Sequence, residues 1–99
     1  MGSRLSPQDQ ALYRRTDEVL HYVWDPIGVS RAPEARDEYH SYLPQVFGLL
    51  KADADAESIA AHLTEISTRR MGLDPNRKHD LEVAQLLVHW RQVVGEQNV

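Results

Sequence analysis

The chain lacks cysteine among its 99 residues, and it lacks any long apolar run. The absence of cysteine excludes disulfides, thiolate metal sites and a cysteine nucleophile. No stretch approaches the roughly 18 apolar residues that a membrane-spanning helix needs, so we expect no membrane partner. No apolar segment follows the first residues, and we expect no secretory signal. These absences favour a cytoplasmic protein.

The composition is that of one folded domain. Charged residues make up 26% of the chain and hydrophobic residues 41%, which is the ordinary mix of a globular protein. We expect a single helical domain over residues 1–99, with residues 1–5 flexible. The net charge of −4 argues against a nucleic-acid partner, which usually needs an excess of clustered Lys and Arg.

The first helix has clear start and stop signals. Ser6 is a good cap, Pro7 suits the first helical position, and Asp9 favours the positive end of the helix dipole. Pro26 disfavours helical geometry at the preceding residue, so the helix is predicted to end at Trp24. The face predicted to be buried contains Leu12, Thr16, Val19, Leu20 and Val23.

A structural turn is predicted directly after this helix, at Trp24, Asp25, Pro26 and Gly28. Asp25 can accept hydrogen bonds from nearby backbone amides, and Gly28 permits a positive φ. Trp24, Ile27 and Val29 are expected to hold the turn against the core.

The turn also carries a family resemblance. Its Trp-Asp-Pro-x-Gly pattern, followed by Asp37-Glu38-Tyr39, Tyr42-Leu43-Pro44 and Met71-Gly72-Leu73, resembles a family of small uncharacterised bacterial all-helical proteins. The similarity spans roughly residues 20–73. It implies an all-helical fold and brings no established activity.

A second helix is predicted over residues 33–51, because its apolar residues recur at helical spacing. The stripe consists of Tyr39, Tyr42, Leu43, Val46, Phe47 and Leu50. Pro44 lies within it and cannot donate to the carbonyl four residues earlier. The helix is therefore predicted to be kinked or split at Pro44.

Two further helices complete the predicted fold, a compact all-α bundle of about four helices. Asp53 is the predicted cap of the third helix, and Gly72 its stop. The last helix is expected to begin at Asp74, or nearer Arg77 or Asp80.

The last helix is apolar around most of its circumference. Such a helix is either central in its fold or covered by something beyond it. Its extra apolar girth makes Leu81, Ala84, Val88, Trp90 and Val93 the candidate interface for a second copy or a protein partner, with wholly internal packing as the alternative.

Four cations surround the turn between the third and fourth helices: Arg69, Arg70, Arg77 and Lys78. One interpretation is that they stabilise helix ends and remain solvated. The other is a local patch for an anion or an acidic partner, aided by His79.

Several carboxylate–imidazole pairs have helical spacing, including Glu18 with His21 and His62 with Glu65. Such pairs line di-iron bundles when they point inward. Here His21, His40 and His62 fall on faces predicted to be exposed. We therefore predict no metal, no cofactor and no catalytic residue.

The leading hypothesis is a non-enzymatic helical interaction domain that forms a homodimer or binds another protein. An alternative is an immunity-type inhibitor whose acidic surface covers a basic toxin or enzyme. That surface would use Glu34, Asp37, Glu38, Asp53, Asp55 and Glu57. A second alternative is a small metal-dependent enzyme that uses the helical His–carboxylate pairs.

Overall fold

The computed structural model describes residues 5–96, so the flexibility expected of residues 1–4 lies outside the described residues. Within the described range the chain forms four α-helices and no strand, which confirms the predicted all-α bundle. The helices are α1 (Pro7–Val19), α2 (Leu43–Lys51), α3 (Ala56–Glu65) and α4 (Arg77–Glu96).

Two of the helices end in a wider turn. The first π-turn, Leu20–Trp24, continues α1, and the second π-turn, Ile66–Arg70, continues α3. Asp25 N–H donates to the Leu20 carbonyl at 3.1 Å, and Met71 N–H donates to the Ile66 carbonyl at 3.2 Å. Each bond spans five residues instead of the four of an α-helix. Each π-turn holds one more residue than an α-helical turn, so the side chains that follow point in different directions around the helix axis from those expected of a regular α-helix.

The cap predicted for α1 is confirmed, whereas α4 begins at the alternative start Arg77 and not at the predicted cap Asp74. Ser6 Oγ accepts from Asp9 N–H at 3.0 Å, and α4 begins at Arg77, after Asn76, whose side chain accepts from His79 N–H at 3.3 Å. The prediction of Asp53 as the cap of α3 is wrong. Asp55 caps this helix by accepting from Ser58 N–H at 2.8 Å.

Asp53 instead closes the preceding helix. Its φ of 62° lies in the left-handed region, and the next amide, Ala54 N–H, donates back to the Leu49 carbonyl at 3.0 Å. This is the geometry of a helix C-terminus, where a left-handed residue lets the chain satisfy the last carbonyls. Asp53 therefore ends α2 and does not begin α3.

The helix predicted over residues 33–51 is split next to Pro44, and only its second part, Leu43–Lys51, is an α-helix. Residues 33–35 form a 3₁₀ turn, tight turns continue to Tyr42, and α2 begins at Leu43 with Pro44 in its first turn. The first turn tolerates proline because its amides have no partner inside the helix. The apolar stripe still faces inward, since Tyr39, Leu43, Val46 and Leu50 are buried.

The fourth helix lies at the centre of the packing. It contacts α3 most extensively, then α1, and also α2, while α2 bridges α1 and α3 on the other side. Arg91 of α4 donates to the carbonyls of Leu50 and Ala54 at 3.2 and 2.9 Å, which covers the end of α2. Val83, Ala84, Leu87 and Val94 are buried, so much of the apolar surface of α4 is used inside the bundle.

Candidate functional site: two surface grooves beside the π-turns

The first π-turn changes which side chains of α1 face the core. Val23, predicted to be buried, is 42% exposed, and Trp24 takes the inward direction at 2% exposure. The extra residue in the π-turn explains this exchange, because Trp24 reaches the angular position that Val23 would occupy in a regular helix. Tyr22 points outward as well and is 57% exposed. The turn thus places two large apolar side chains in solvent.

The prediction that His21, in the same turn, is exposed is wrong, because its side chain is buried. The segment before α2 covers it, and the His21 ring lies 6.5 Å from the Tyr39 ring and 4.5 Å from the Tyr22 ring. Its Nδ1 has no hydrogen-bond partner. A buried imidazole nitrogen without a partner carries a desolvation cost.

A groove runs between α1 and α4 beside the exposed Tyr22 and Val23. We call it the aromatic groove; it has a volume of about 480 Å³ and is lined by Arg15, Glu18, Val19, Tyr22, Val23, Leu86 and Trp90. The Arg15 guanidinium lies 5.4 Å from the centre of the Trp90 ring and donates to Glu18 Oε1 at 2.6 Å. The guanidinium thus lies at cation–π distance from the indole ring.

A second arginine holds Tyr22 in a similar way. The Arg36 guanidinium lies 5.3 Å from the centre of the Tyr22 ring and donates to both carboxylate oxygens of Asp17, at 3.0 and 2.9 Å. His40 Nε2 lies 3.1 Å from the same carboxylate. Hydrogen bonding to Asp17 is the main cause that raises the pKa of Arg36. Both aromatic rings of the groove therefore contact an arginine that is paired with a carboxylate.

The residues of the predicted interface on α4 do not form one surface in the packed bundle. Ala84 is fully buried in the core and offers no surface to a partner. Leu81, Val88 and Val93 are half-buried. Trp90 is also half-buried but lines the aromatic groove, with α1 as its other wall. Two of the large apolar side chains exposed among residues 5–96, Tyr22 and Val23, lie where the first π-turn meets α4, a place that regular helical phase does not reveal.

The predicted turn after α1 is formed largely as expected. Asp25 has φ of 33°, and its carboxylate accepts from Val29 N–H at 2.8 Å, Ser30 N–H at 3.0 Å and the Tyr39 hydroxyl at 2.7 Å. Gly28 has φ of 71°. Trp24 and Val29 pack on the core, but Ile27 is 41% exposed and does not hold the turn in place as predicted.

The carboxylate and the phenol of this turn shift each other's ionisation. Burial raises the pKa of Asp25, but the hydrogen bonds from Tyr39 and from the backbone amides outweigh it, and the pKa lies below its usual value. Burial, and then the bond to Asp25, raise the pKa of Tyr39 well above 10. The pair therefore holds an ionised carboxylate and a neutral phenol over the whole ordinary pH range.

A buried polar contact that the sequence analysis missed joins three elements at this end of the bundle. Asp80 in α4 is 3% exposed, and its two oxygens accept from Trp24 Nε1 at 3.0 Å and from Thr64 Oγ1 at 2.7 Å. His79 Nε2 lies 2.9 Å from the Val23 carbonyl and 3.2 Å from the Trp24 carbonyl. His79 thus caps the first π-turn and does not extend the basic patch.

The four predicted cations are all exposed but do not form one cluster. Arg69 and Arg77 line a groove between α3 and α4, whereas the Arg70 guanidinium lies 6.0 Å from the Tyr42 ring. No described contact engages the side chain of Lys78. We call the site of Arg69 and Arg77 the charged groove; it measures about 560 Å³ and is lined by Glu57, Ala60, Ala61, Thr64, Glu65, Arg69, Arg77 and Leu81.

The remaining candidate residues are dispersed. All six acidic residues proposed for an inhibitor surface are exposed, in two separate stretches before α2 and around the start of α3. Among residues 5–96, no three His, Asp or Glu side chains come together as a metal site. His40 is exposed as predicted, and His62 is half-buried with an unpartnered Nε2. No helix in the described range is long and apolar enough to cross a bilayer.

Comparison with protein-family models, with curated proteins and with solved structures gave no significant match. The resemblance to small bacterial helical proteins therefore stays a prediction.

Proposed function

We propose that the chain is a non-enzymatic, cytoplasmic protein-interaction domain, and that its aromatic groove receives an apolar side chain of a protein partner. The observation that carries this proposal is the outward position of Tyr22 and Val23 on the first π-turn. Burying such side chains in the fold would be favourable by about 1.5 to 3 kcal/mol each, so their exposure leaves free energy available for binding.

The composition of the groove supports the same proposal. Tyr, Trp and Arg are enriched among the residues that dominate binding energy at protein interfaces. In this groove Tyr22 and Trp90 each lie under an arginine that is itself tied to a carboxylate. Rings held in this way lose little side-chain entropy when a partner binds. The groove is thus preorganised for binding the partner.

The test is a photo-cross-linking residue at position 22, introduced into the chain in the cells that naturally produce it. The matched control carries the same residue at Arg14, an exposed position elsewhere on α1. We expect a discrete adduct at position 22 that is absent at position 14 and is lost when Val23→Asp is added. An adduct of twice the chain mass would identify a second copy, and any other discrete mass a different protein.

The same adducts at positions 22 and 14, or none at either position, would contradict the proposal. So would an adduct at position 22 that is unaffected by Val23→Asp, because that substitution places a charge in the middle of the proposed contact.

A further inference from the structure

The charged groove contains three charged side chains that have no partner among the described residues. Glu57, Arg69 and Arg77 are exposed, and within residues 5–96 none of them forms an ion pair or a side-chain hydrogen bond. Small side chains lie between them, at Ala60 and Ala61. A helix surface with small central residues lets a second backbone approach closely, and the charges at either end are then available to that second chain.

These charges follow a definite order along α3 and its π-turn. Glu57, Ala61, Glu65 and Arg69 succeed one another at intervals of four residues, and all four line the same groove. Residues four apart are neighbours on a helix face. In a regular α-helix such a row drifts around the axis, and the additional residue of the second π-turn brings Arg69 back towards the groove.

This row of side chains is complementary to the same row in a second copy of the chain that runs antiparallel to it. Glu57 and Arg69 lie equally far along the chain from Leu63, and so do Ala61 and Glu65. When two such helices lie antiparallel about a two-fold axis at the level of Leu63, each Glu57 faces the Arg69 of the other copy. Each Glu65 faces an alanine, and no like charges oppose one another. Arg77, at the same end as Arg69, adds a second cation near the incoming Glu57.

We propose that a second copy of this chain docks in the charged groove, with the two α3 helices antiparallel about that two-fold axis. A two-fold interface requires a surface that matches itself, and this row satisfies the requirement. The proposal rests on the proposed function in treating the chain as an interaction domain. It shares no residue with the aromatic groove, so either surface can fail its test while the other passes.

Charge reversal tests the arrangement directly. We expect sedimentation equilibrium at low salt to show a concentration-dependent dimer that weakens as salt is added. Glu57→Arg and Arg69→Glu should each weaken it by about tenfold or more, since each reversal turns two attractive pairs into repulsive ones. The matched controls Glu82→Arg and Arg14→Glu change net charge equally at exposed positions outside the groove and should have little effect.

Two combinations make the test specific to this register. The double variant, with Glu57→Arg and Arg69→Glu in the same chain, should recover the dimer because both pairs are restored with reversed polarity. Mixing the two single variants should give a heterodimer, since each Arg then faces a Glu. Circular dichroism of each variant checks that the helices are retained.

A monomer at every concentration would overturn the proposal. It would equally fail if the dimer ignored both single reversals, or if neither the double variant nor the mixture recovered association.

Discussion

The two π-turns have the same backbone hydrogen-bond pattern, but they expose different kinds of side chain at the surface. The first exposes Tyr22 and Val23 and forms one wall of an apolar groove, whereas the second exposes Arg69 and Arg70 beside a charged one. The first π-turn and the end of α3 both meet the start of α4 at Asp80, which accepts from Trp24 and from Thr64. A π-turn thus sets the direction of side chains, while the local sequence decides the chemistry of the surface.

Asp80, which joins the first π-turn to α3, should give the largest effect on stability. Asp80→Ala removes the acceptor for the buried Trp24 Nε1 and for the half-buried Thr64 Oγ1, which leaves both donors without that partner. Each unsatisfied donor costs about 1 to 3 kcal/mol, and we expect the free energy of unfolding to fall by about 3 kcal/mol or more. Urea denaturation measures this. Glu82→Ala, at an exposed position on the same helix, is the control and should be nearly neutral.

The two turns also end differently, and the end of the first should be the more sensitive. Asp25→Ala places alanine at a positive φ and removes the bonds to Val29, Ser30 and Tyr39. We expect a loss of about 2 to 3 kcal/mol. A loss below that of Gly72→Ala would contradict the role given to the carboxylate.

The lowered pKa of Asp25 adds a pH dependence to that prediction. A carboxylate whose pKa is lower in the folded state contributes stability above its unfolded pKa of about 3.9, and this contribution disappears as the pH falls through the folded value. The parent protein should therefore lose stability below about pH 4 more steeply than Asp25→Ala does. Equal slopes in acid would show that Asp25 is not held in its ionised form.

The second turn ends at Gly72, whose φ is 69°. Gly72→Ala should cost about 1 kcal/mol, the ordinary penalty of a left-handed alanine. The added Cβ would meet no atom within 4 Å, so crowding contributes nothing. Thermal unfolding of Gly72→Ala beside Gly48→Ala, a helical glycine with equally open surroundings, separates the effect of φ from that of the methyl group.

The smallest effect concerns His62, which precedes the second π-turn. Burial lowers the pKa of this imidazole, Glu65 opposes the shift, and Arg70 adds to it. A histidine with a lowered folded pKa costs stability when the pH falls below its unfolded value of about 6.5, because the unfolded chain then binds the proton more readily. His62→Leu should reduce the loss of stability between neutral pH and pH 5, as followed by urea midpoints.

The sequence predicted the parts of the fold that depend on local signals. Ser6, Pro26, Gly28 and Gly72 act as expected, because caps and turns are decided by a few neighbouring residues. No local sequence signal indicated the π-turns, so the predicted directions of the His21 and Val23 side chains were wrong.

Two polar residues of α4 could have been identified from its periodicity. Asp80 is in phase with Val83, Ala84 and Leu87, which places a carboxylate on the buried stripe and calls for donors such as the Trp24 indole. Arg91 is in phase with Leu87 and covers the end of α2. Which helix supplies their partners depends on tertiary packing, which the sequence pattern does not contain.

The exposed position of Val23 is tested by the free energy of unfolding of Val23→Asp beside that of Val19→Asp, measured by urea denaturation in dilute protein. Regular helical phase puts both valines in the core, whereas the first π-turn exposes only Val23. We expect Val19→Asp to lose several kcal/mol, as a buried unpaired charge does, and Val23→Asp to stay within about 0.5 kcal/mol of the parent. Equal, severe losses in the two variants would contradict the exposed position of Val23, and with it the proposed aromatic groove.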